Sequence, residues 1–332
     1  MFHLLPFMQA LFQCSDISLN GYRGSAVNES TQDAPVAGQH VRVVAPAYRL
    51  DSALIDQGVA AVQALGFTVS VDPRCYESYG KLAGDDACRA AALMAAFADP
   101  QVDVILTLRG GYGCTRLLPY LDYAGIAAHP KPLIGYSDVT ALLLALQPLI
   151  GRQAIHGPCL ESFARGLHAQ DTAALLALLA GDNNTYNALL NRVVADCRRV
   201  RNGTASGPLI GGNLSLLASL IGTAQDYTTA GCWLFLEDWQ EPHYRIDRLI
   251  TQLQASGRLS AIAGLIIGDF QRISRIGEDL PLSLEQGLLA QLPDSIPVLA
   301  DFPLGHAGRQ WPLPLGVPLY LDAQGVYCRW TT

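Results

Sequence analysis

From residue 41 the chain alternates short apolar runs with helix-patterned segments, and this alternation constrains the fold more than any other feature. VRVVAPA (41–47) reads as a strand entering a Pro-marked loop, and SALIDQGVAAVQALG (52–66) as an amphipathic helix closed by Gly66. FTVSV (67–71) is a second strand, ACRAAALMAAFAD (87–99) a helix, and VDVILTL (102–108) a strand with both faces buried. LIGYS ends a further strand, DVTALLLALQPLI is a helix, and AIHGP (154–158) is a short strand. Alternating β and α elements predict a parallel sheet with helices on both faces. Ligands of such sheets sit at the carboxyl ends of the strands.

The texture changes around 165–190. DTAALLALLAG reads as a helix and DNNTY as a turn-rich break, which places a domain boundary near 182. Beyond it, strands (ADCRRV, CWLFLED, AGLIIGDF, PLYLD, VYCRW) mix with two helices, 213–221 and 244–255. The expected fold class is α/β: a parallel-sheet amino-terminal domain with flanking helices (41–182) and a smaller, β-rich α+β carboxy-terminal domain (183–332). A chain of 332 residues suits about two such domains. Residues 1–40 stand apart. MFHLLPFMQALFQCS lacks a basic start and a clear cleavage site for a signal peptide, and 15–40 are polar without a period. They read as an extension outside the core fold.

Composition removes several function classes. Half of the residues are hydrophobic and 15% are charged, which allows a large core and excludes wholesale disorder. The net charge of −7 argues against nucleic acid as a partner, because phosphate binding needs clustered Lys and Arg. No apolar run reaches the ~20 residues needed to span a bilayer, so no membrane partner is expected. The eight cysteines form no C-x-x-C pair, which suits a reducing compartment and a cytoplasmic location. No H-E-x-x-H and no phosphate-binding G-K-[ST] occur, and neither a metal nor a cofactor is expected.

Five stretches are candidates to carry chemistry, though a capped core helix, a solvated acid at a strand end and an unremarkable loop histidine are the plainer readings of the last three taken singly. In KPLIGYSDVTALLLAL (131–146), a strand stops at a sharp corner where Ser137 precedes an apolar helix. The corner suits either a helix cap or an elbow that lifts a serine out of the strand end. RGGYGCTR (109–116) follows a strand; it is either a tight turn or a source of backbone N–H donors for an oxyanion. GPLIGGNLSLLASLIGT (207–223) opens a helix with Asn213 at its N-cap. WLFLEDWQEPHYRIDRLITQL (233–253) ends a strand in Glu237-Asp238, and DFPLGHAGRQWPLPLG (301–316) holds His306 in a Pro-rich loop.

In this order and spacing, with IHGP and GLIIGDF between them, these stretches resemble the LD-carboxypeptidase family of serine peptidases: the muramoyltetrapeptide carboxypeptidases and their microcin-resistance relatives. The resemblance covers roughly 41–330. It implies a Ser-His-Glu triad of Ser137, His306 and Glu237, hence an active site at the interface of the two domains, with oxyanion donors from the backbone of Asp138 and of the GGYG loop, best at Gly111. It implies removal of a terminal D-amino acid from a murein peptide, whose carboxylates need cations; Arg109, Arg116 and Arg245 lie in the matching blocks, with Tyr112 and Asn213 as further substrate-binding candidates. The strict G-x-S-x-G is absent, since Val139 holds its last position. Competing readings are a microcin-type hydrolase of aminoacyl-nucleotide amides, for which Trp239 would be an aromatic platform, and a non-catalytic peptide-binding module. The partner set is the murein peptide, and a homodimer is left open.

Overall fold

The computed structural model describes residues 36, 38–270, 283–323 and 325–330. Of the expected extension, 1–40, residues 1–35 and 37 lie outside them. The core begins earlier than the sequence suggests: Val36 is buried, and Gly38 N–H donates to the Gly66 carbonyl at 2.8 Å.

The first half builds as the alternation predicts. Strand β1 (His40–Val44) leads to α1 (Ser52–Gln63), β2 (Thr68–Val71), α2 (Asp86–Ala98) and β3 (Val104–Thr107). Two short helices, α3 (Cys114–Leu117) and α4 (Tyr123–Ala128), precede β4 (Leu133–Gly135), α5 (Thr140–Ile150) and β5 (Ala154–His156). β5, β4, β3, β1 and β2 form a parallel sheet in that spatial order. β3 is buried at all four positions, as a strand covered by helices on both faces must be. α2 starts where Asp85 accepts a hydrogen bond from Cys88 N–H at 2.8 Å.

Three helices follow: α6 (Leu160–Ala164), α7 (Ala169–Ala180) and α8 (Asn183–Asp196). α8 corrects the sequence reading. DNNTY is not a turn-rich break but the cap and first turn of a 14-residue helix, with the Asp182 carboxylate accepting from Thr185 N–H at 3.0 Å. The helix buries Tyr186, Leu190, Val193 and Val194, a stripe at helical spacing. ADCRRV is accordingly helix to 196 and strand only from 198.

The second half holds β6 (Arg198–Arg201), β7 (Ala205–Asn213), α9 (Leu214–Leu220), β8 (Trp233–Glu237), α10 (His243–Ala255) and β9 (Gly264–Ile267). Then come α11 (Leu284–Ala290), a helix the sequence reading did not include, β10 (Val298–Ala300), β11 (Leu313–Pro314), β12 (Pro318–Asp322) and β13 (Gly325–Cys328). Its seven-stranded sheet runs β13-β12-β7-β8-β9-β10-β6. The centre, β7 to β10, is parallel, and the outer pairs are antiparallel. β11 does not join this sheet. It pairs antiparallel with β5, so Leu313 faces His156 and the first sheet gains a sixth strand from the carboxy-terminal half. Pro314 is tolerated there because an edge strand leaves half its N–H groups unbonded.

α5 is buried nearly all round and packs on β5 of the first sheet and on β7 and α9 of the second half. At its start the Thr140 hydroxyl accepts from Asn213 N–H at 3.1 Å. The carboxyl ends of β4, β7 and β8 therefore meet around the first turn of one helix. Among the described residues no helix is long and apolar enough to cross a membrane.

Candidate active site

Ser137 stands at the corner between β4 and α5, on backbone with φ of +60°. A non-glycine residue there costs of order 1–3 kcal/mol and persists only where its surroundings enforce it. The Ser137 hydroxyl faces His306, with Oγ 3.1 Å from Nε2. Of the two readings of this corner, the geometry fits the elbow.

Glu237 ends β8 and is fully buried. Its Oε2 lies 2.8 Å from His306 Nδ1, while Oε1 is buried and accepts no hydrogen bond among the described residues. The imidazole is thus bonded at both nitrogens across 69 and 169 residues of sequence. This pattern suits a neutral ring that donates from Nδ1 to the carboxylate and accepts from the serine O–H at Nε2. Burial pushes the His306 pKa down, but the Glu237 charge and hydrogen bond, with Asp238 and Asp269 behind them, push it up further, and the net shift is upward.

The loop of His306 runs from β10 to β11, between the two sheets. Gly305 has φ of +115°, and a Cβ there would lie 3.1 Å from Glu237 Oε2 and 3.1 Å from the Asp269 Cβ. Only glycine lets the backbone pass this close to the carboxylate. The ring packs between two aromatics: Tyr136 at 5.0 Å between centroids and Trp239, stacked at 5.2 Å and 21°. Tyr136 directly precedes Ser137, and Trp239 stands two residues after Glu237. Tyr136 was not singled out in the sequence, although it stands inside the GYSD block.

The RGGYG loop lies against the serine. A Cβ on Gly110 would fall 2.7 Å from the Ser137 Cβ and 3.5 Å from Asp138 N, so the peptide leading to Gly111 adjoins the hydroxyl. The loop is held from the elbow itself: the buried Asp138 carboxylate accepts from Cys114 N–H at 2.8 Å. Burial raises the Asp138 pKa, opposed by the Cys114 bonds and the Arg89 charge. Arg89, fully buried, donates to the carbonyls of Pro46, Gly84 and Gly113 and pairs with Asp86, which fixes the far side of the loop.

The other candidates divide. Arg109 precedes Gly110, is a third exposed and pairs with Glu161 at 3.4 Å. Glu161 also holds Arg165 at 2.7 Å. Tyr112 is half exposed. Arg116 forms a two-pronged pair with Asp86, Nε at 2.9 Å and Nη2 at 2.7 Å. Arg245 pairs with Glu241 one turn away at 2.9 Å. Asn213 is buried and occupied at both ends: Oδ1 caps Leu216 N–H at 3.2 Å and Nδ2 donates to Asp238 at 2.9 Å. Asp238 also receives the Ser215 N–H and hydroxyl at 3.0 and 2.8 Å, so this pair ties β8 to α9. Among the described residues no group of three or more His, Cys, Asp or Glu is placed to hold a metal ion.

Two family models match the chain: the LD-carboxypeptidase N-terminal domain over residues 41–157 and the LD-carboxypeptidase C-terminal domain over 206–321. The probable murein peptide carboxypeptidase of Bacillus subtilis (strain 168) is 34% identical over 302 residues, covering 90% of this chain and 91% of the relative. Among solved structures, muramoyltetrapeptide carboxypeptidase from Oxalobacter formigenes superposes with a TM-score of 0.70 at 28% identity, over 87% of this chain and 98% of that one. Microcin C7 self immunity protein MccF, solved in complex with aspartyl sulfamoyl adenosine, shares the fold with a TM-score of 0.74 at 23% identity, over 89% of this chain and 97% of that one. By both matched halves and by this near full-length likeness, the chain belongs to the LD-carboxypeptidase family, and it is a hydrolase of the serine carboxypeptidase class.

Proposed function

We propose that the chain removes the terminal D-amino acid from murein tetrapeptides, with Ser137 as nucleophile, His306 as base and Glu237 as its orienting carboxylate. The observation that carries the reading is His306 bonded on one side to Ser137 Oγ at 3.1 Å and on the other to a fully buried Glu237 at 2.8 Å. A hydroxyl is a poor nucleophile until a base takes its proton. Here Oγ attacks the amide carbon while its proton passes to His306 Nε2. The resulting imidazolium is stabilised by Glu237. The oxyanion takes N–H bonds from Asp138 and Gly111. The C–N bond then breaks, His306 returns the proton to the leaving amine, and an acyl-enzyme ester remains. Water attacks the ester with His306 again as base, the C–O bond breaks, and the proton returns to Oγ.

A carboxypeptidase needs a cation for the substrate's terminal carboxylate. Arg109 supports that role best: it adjoins the loop against Ser137 and makes one long ion pair, whereas Arg116 and Arg245 are held in closer pairs elsewhere. The seven described cysteines are free thiols, which fits a cytoplasmic enzyme of cell-wall peptide recycling. A second reading, cleavage of an aminoacyl-nucleotide amide, draws on Trp239 beside His306 and on the likeness to the microcin immunity protein. Incubation with a murein tetrapeptide and with an aminoacyl sulfamoyl adenosine, followed by mass spectrometry, separates the two. Release of D-alanine from the first and no turnover of the second is the expected result. The converse would replace the leading reading. Arg109→Gln should raise KM for the tetrapeptide about tenfold, the scale of one charge-assisted hydrogen bond, and leave a carboxamide-ended peptide unaffected.

A further inference from the structure

The two family models leave residues 158–205 between them. That stretch contains α7 and α8, which pack on each other, and both reach the loop of His306. Asp171, in the first turn of α7, is fully buried, and four donor contacts converge on its carboxylate. Arg309 Nε donates to Oδ1 and Oδ2 at 3.0 Å each, and Arg309 Nη2 to Oδ1 at 2.7 Å. Gln310 N–H donates to Oδ2 at 2.8 Å. One helix on, the Tyr186 hydroxyl donates to the Pro312 carbonyl at 2.8 Å and accepts from Trp311 Nε1 at 3.3 Å. The loop closes on itself where Trp311 N–H meets the Pro303 carbonyl at 2.9 Å.

These contacts fall on the side of the loop that most needs them. Before His306, Gly305 is wedged against Glu237 and Asp269. After it, Gly308 has φ of +91° and open space around it, so the backbone there has little of its own to hold it. The next fixed points are Arg309 and Gln310. A buried ion pair is weak evidence for stability, since apolar groups can replace it. What a two-pronged guanidinium–carboxylate pair supplies is orientation. The positive end of α7 also favours a carboxylate at this position.

We propose that the α7–α8 hairpin is the positioning element of the base, and that Asp171 sets the distance between His306 and Ser137 through Arg309 and Gln310 without touching substrate. The inference rests on the reading of Ser137, His306 and Glu237 as one catalytic unit. The experiment uses the full chain with Asp171→Ala, Asp171→Asn and Arg309→Ala, and Ser137→Ala alongside. Two rates are measured: turnover of a murein tetrapeptide, and phosphonylation of Ser137 by a fluorophosphonate, which reports activation of the hydroxyl without peptide binding. In Asp171→Ala and Arg309→Ala, kcat and the phosphonylation rate should fall together by about 10- to 100-fold with KM within about threefold of wild type, as for a misplacement of reacting groups. Asp171→Asn, which keeps an acceptor for the guanidinium, should fall between these variants and wild type. Arg309 is partly exposed, so Arg309→Ala carries the test should Asp171→Ala fail to fold. If a folded Asp171→Ala or Arg309→Ala keeps both rates within about twofold of wild type, or loses only thermal stability, the positioning role is overturned. With Ser137→Ala inactive, that outcome strikes the hairpin alone; turnover retained in Ser137→Ala strikes the triad reading beneath it.

Discussion

Replacing Glu237 by Gln keeps the shape of the side chain and removes its charge. The carboxylate is fully buried and its Oε2 is 2.8 Å from His306 Nδ1, so solvent screens little of the interaction. A hydrogen bond to a charged group contributes about 1.5–3 kcal/mol, and each 1.36 kcal/mol is tenfold in rate, which sets a loss of roughly 10- to 150-fold. Gln can also turn its NH2 toward Nδ1 and select the tautomer that cannot accept the serine proton, and such an inversion carries the loss toward ~10⁴. The pH profile carries the diagnostic. The wild-type His306 pKa is raised, burial lowering it and Glu237 more than restoring it. The acid limb of kcat/KM, where His306 gives up its proton, therefore lies above the ordinary histidine value of about 6.5. Without the charge, burial is opposed only by the more distant carboxylates, and the limb should move to lower pH. Linkage gives the same sign for stability. A group whose pKa is raised on folding contributes fully below its unfolded value, and that contribution is lost as pH rises through the folded one. Glu237→Gln should flatten this slope. Steady-state kinetics from pH 4 to 9, with thermal melts over the same range, measure both. An acid limb unmoved between wild type and Glu237→Gln would refute the coupling of the two residues.

Ser137→Ala should leave the melting temperature nearly unchanged and lower tetrapeptide turnover by ~10⁴ to 10⁶, the scale of triad deletions; a double variant with His306→Ala should lose little more, because each disables the same unit. Asp138→Ala removes the acceptor for Cys114 N–H, so it should destabilise by about 1–3 kcal/mol in denaturant melts. It should also cut kcat by roughly 10- to 100-fold as the RGGYG loop shifts, with Asp138→Asn largely retaining both. Deleting residues 1–34 should change neither activity nor melting temperature, whereas extending the deletion to 40 removes buried Val36 and the start of β1 and should lower the melting point measurably.

The sequence was most legible where burial on both faces leaves no polar residue to confuse the pattern. β3 and β8 read as strands because every residue in them is covered. Helix α8 was hidden by its own cap. Asp182 and the two asparagines after it carry a turn's chemistry, and the stripe of Tyr186, Leu190, Val193 and Val194 begins only past them. β11 was illegible for another reason. Two residues, one of them a proline, have no period, and their strand character comes from the β5 edge they lie against. In the site, Ser137, Glu237 and His306 were named through motif order, and the structure brings all three into contact. What the order could not convey is how they are held. The Asp171–Arg309 pair spans 138 residues, and nothing local to either residue marks the other. The same holds for Asn213, where a buried amide satisfied at both ends looks in sequence like any capping residue.

The return of β11 to the first sheet has a consequence for how the molecule comes into being. Its partner β5 is complete at His156, yet the strand that covers it, Leu313–Pro314, emerges from the ribosome long after it. Until then the amino-terminal sheet has an open edge, the kind of surface that pairs with other chains. The same late segment brings in the loop with His306. On the proposed reading of the site, Ser137 therefore stays without its base until this segment has been made. Pairing across so long a separation is slow to form, since loop-closure entropy precedes any contact that offsets it. A growing chain of this design acquires the missing edge of its first sheet and the loop that faces Ser137 in a single closing step.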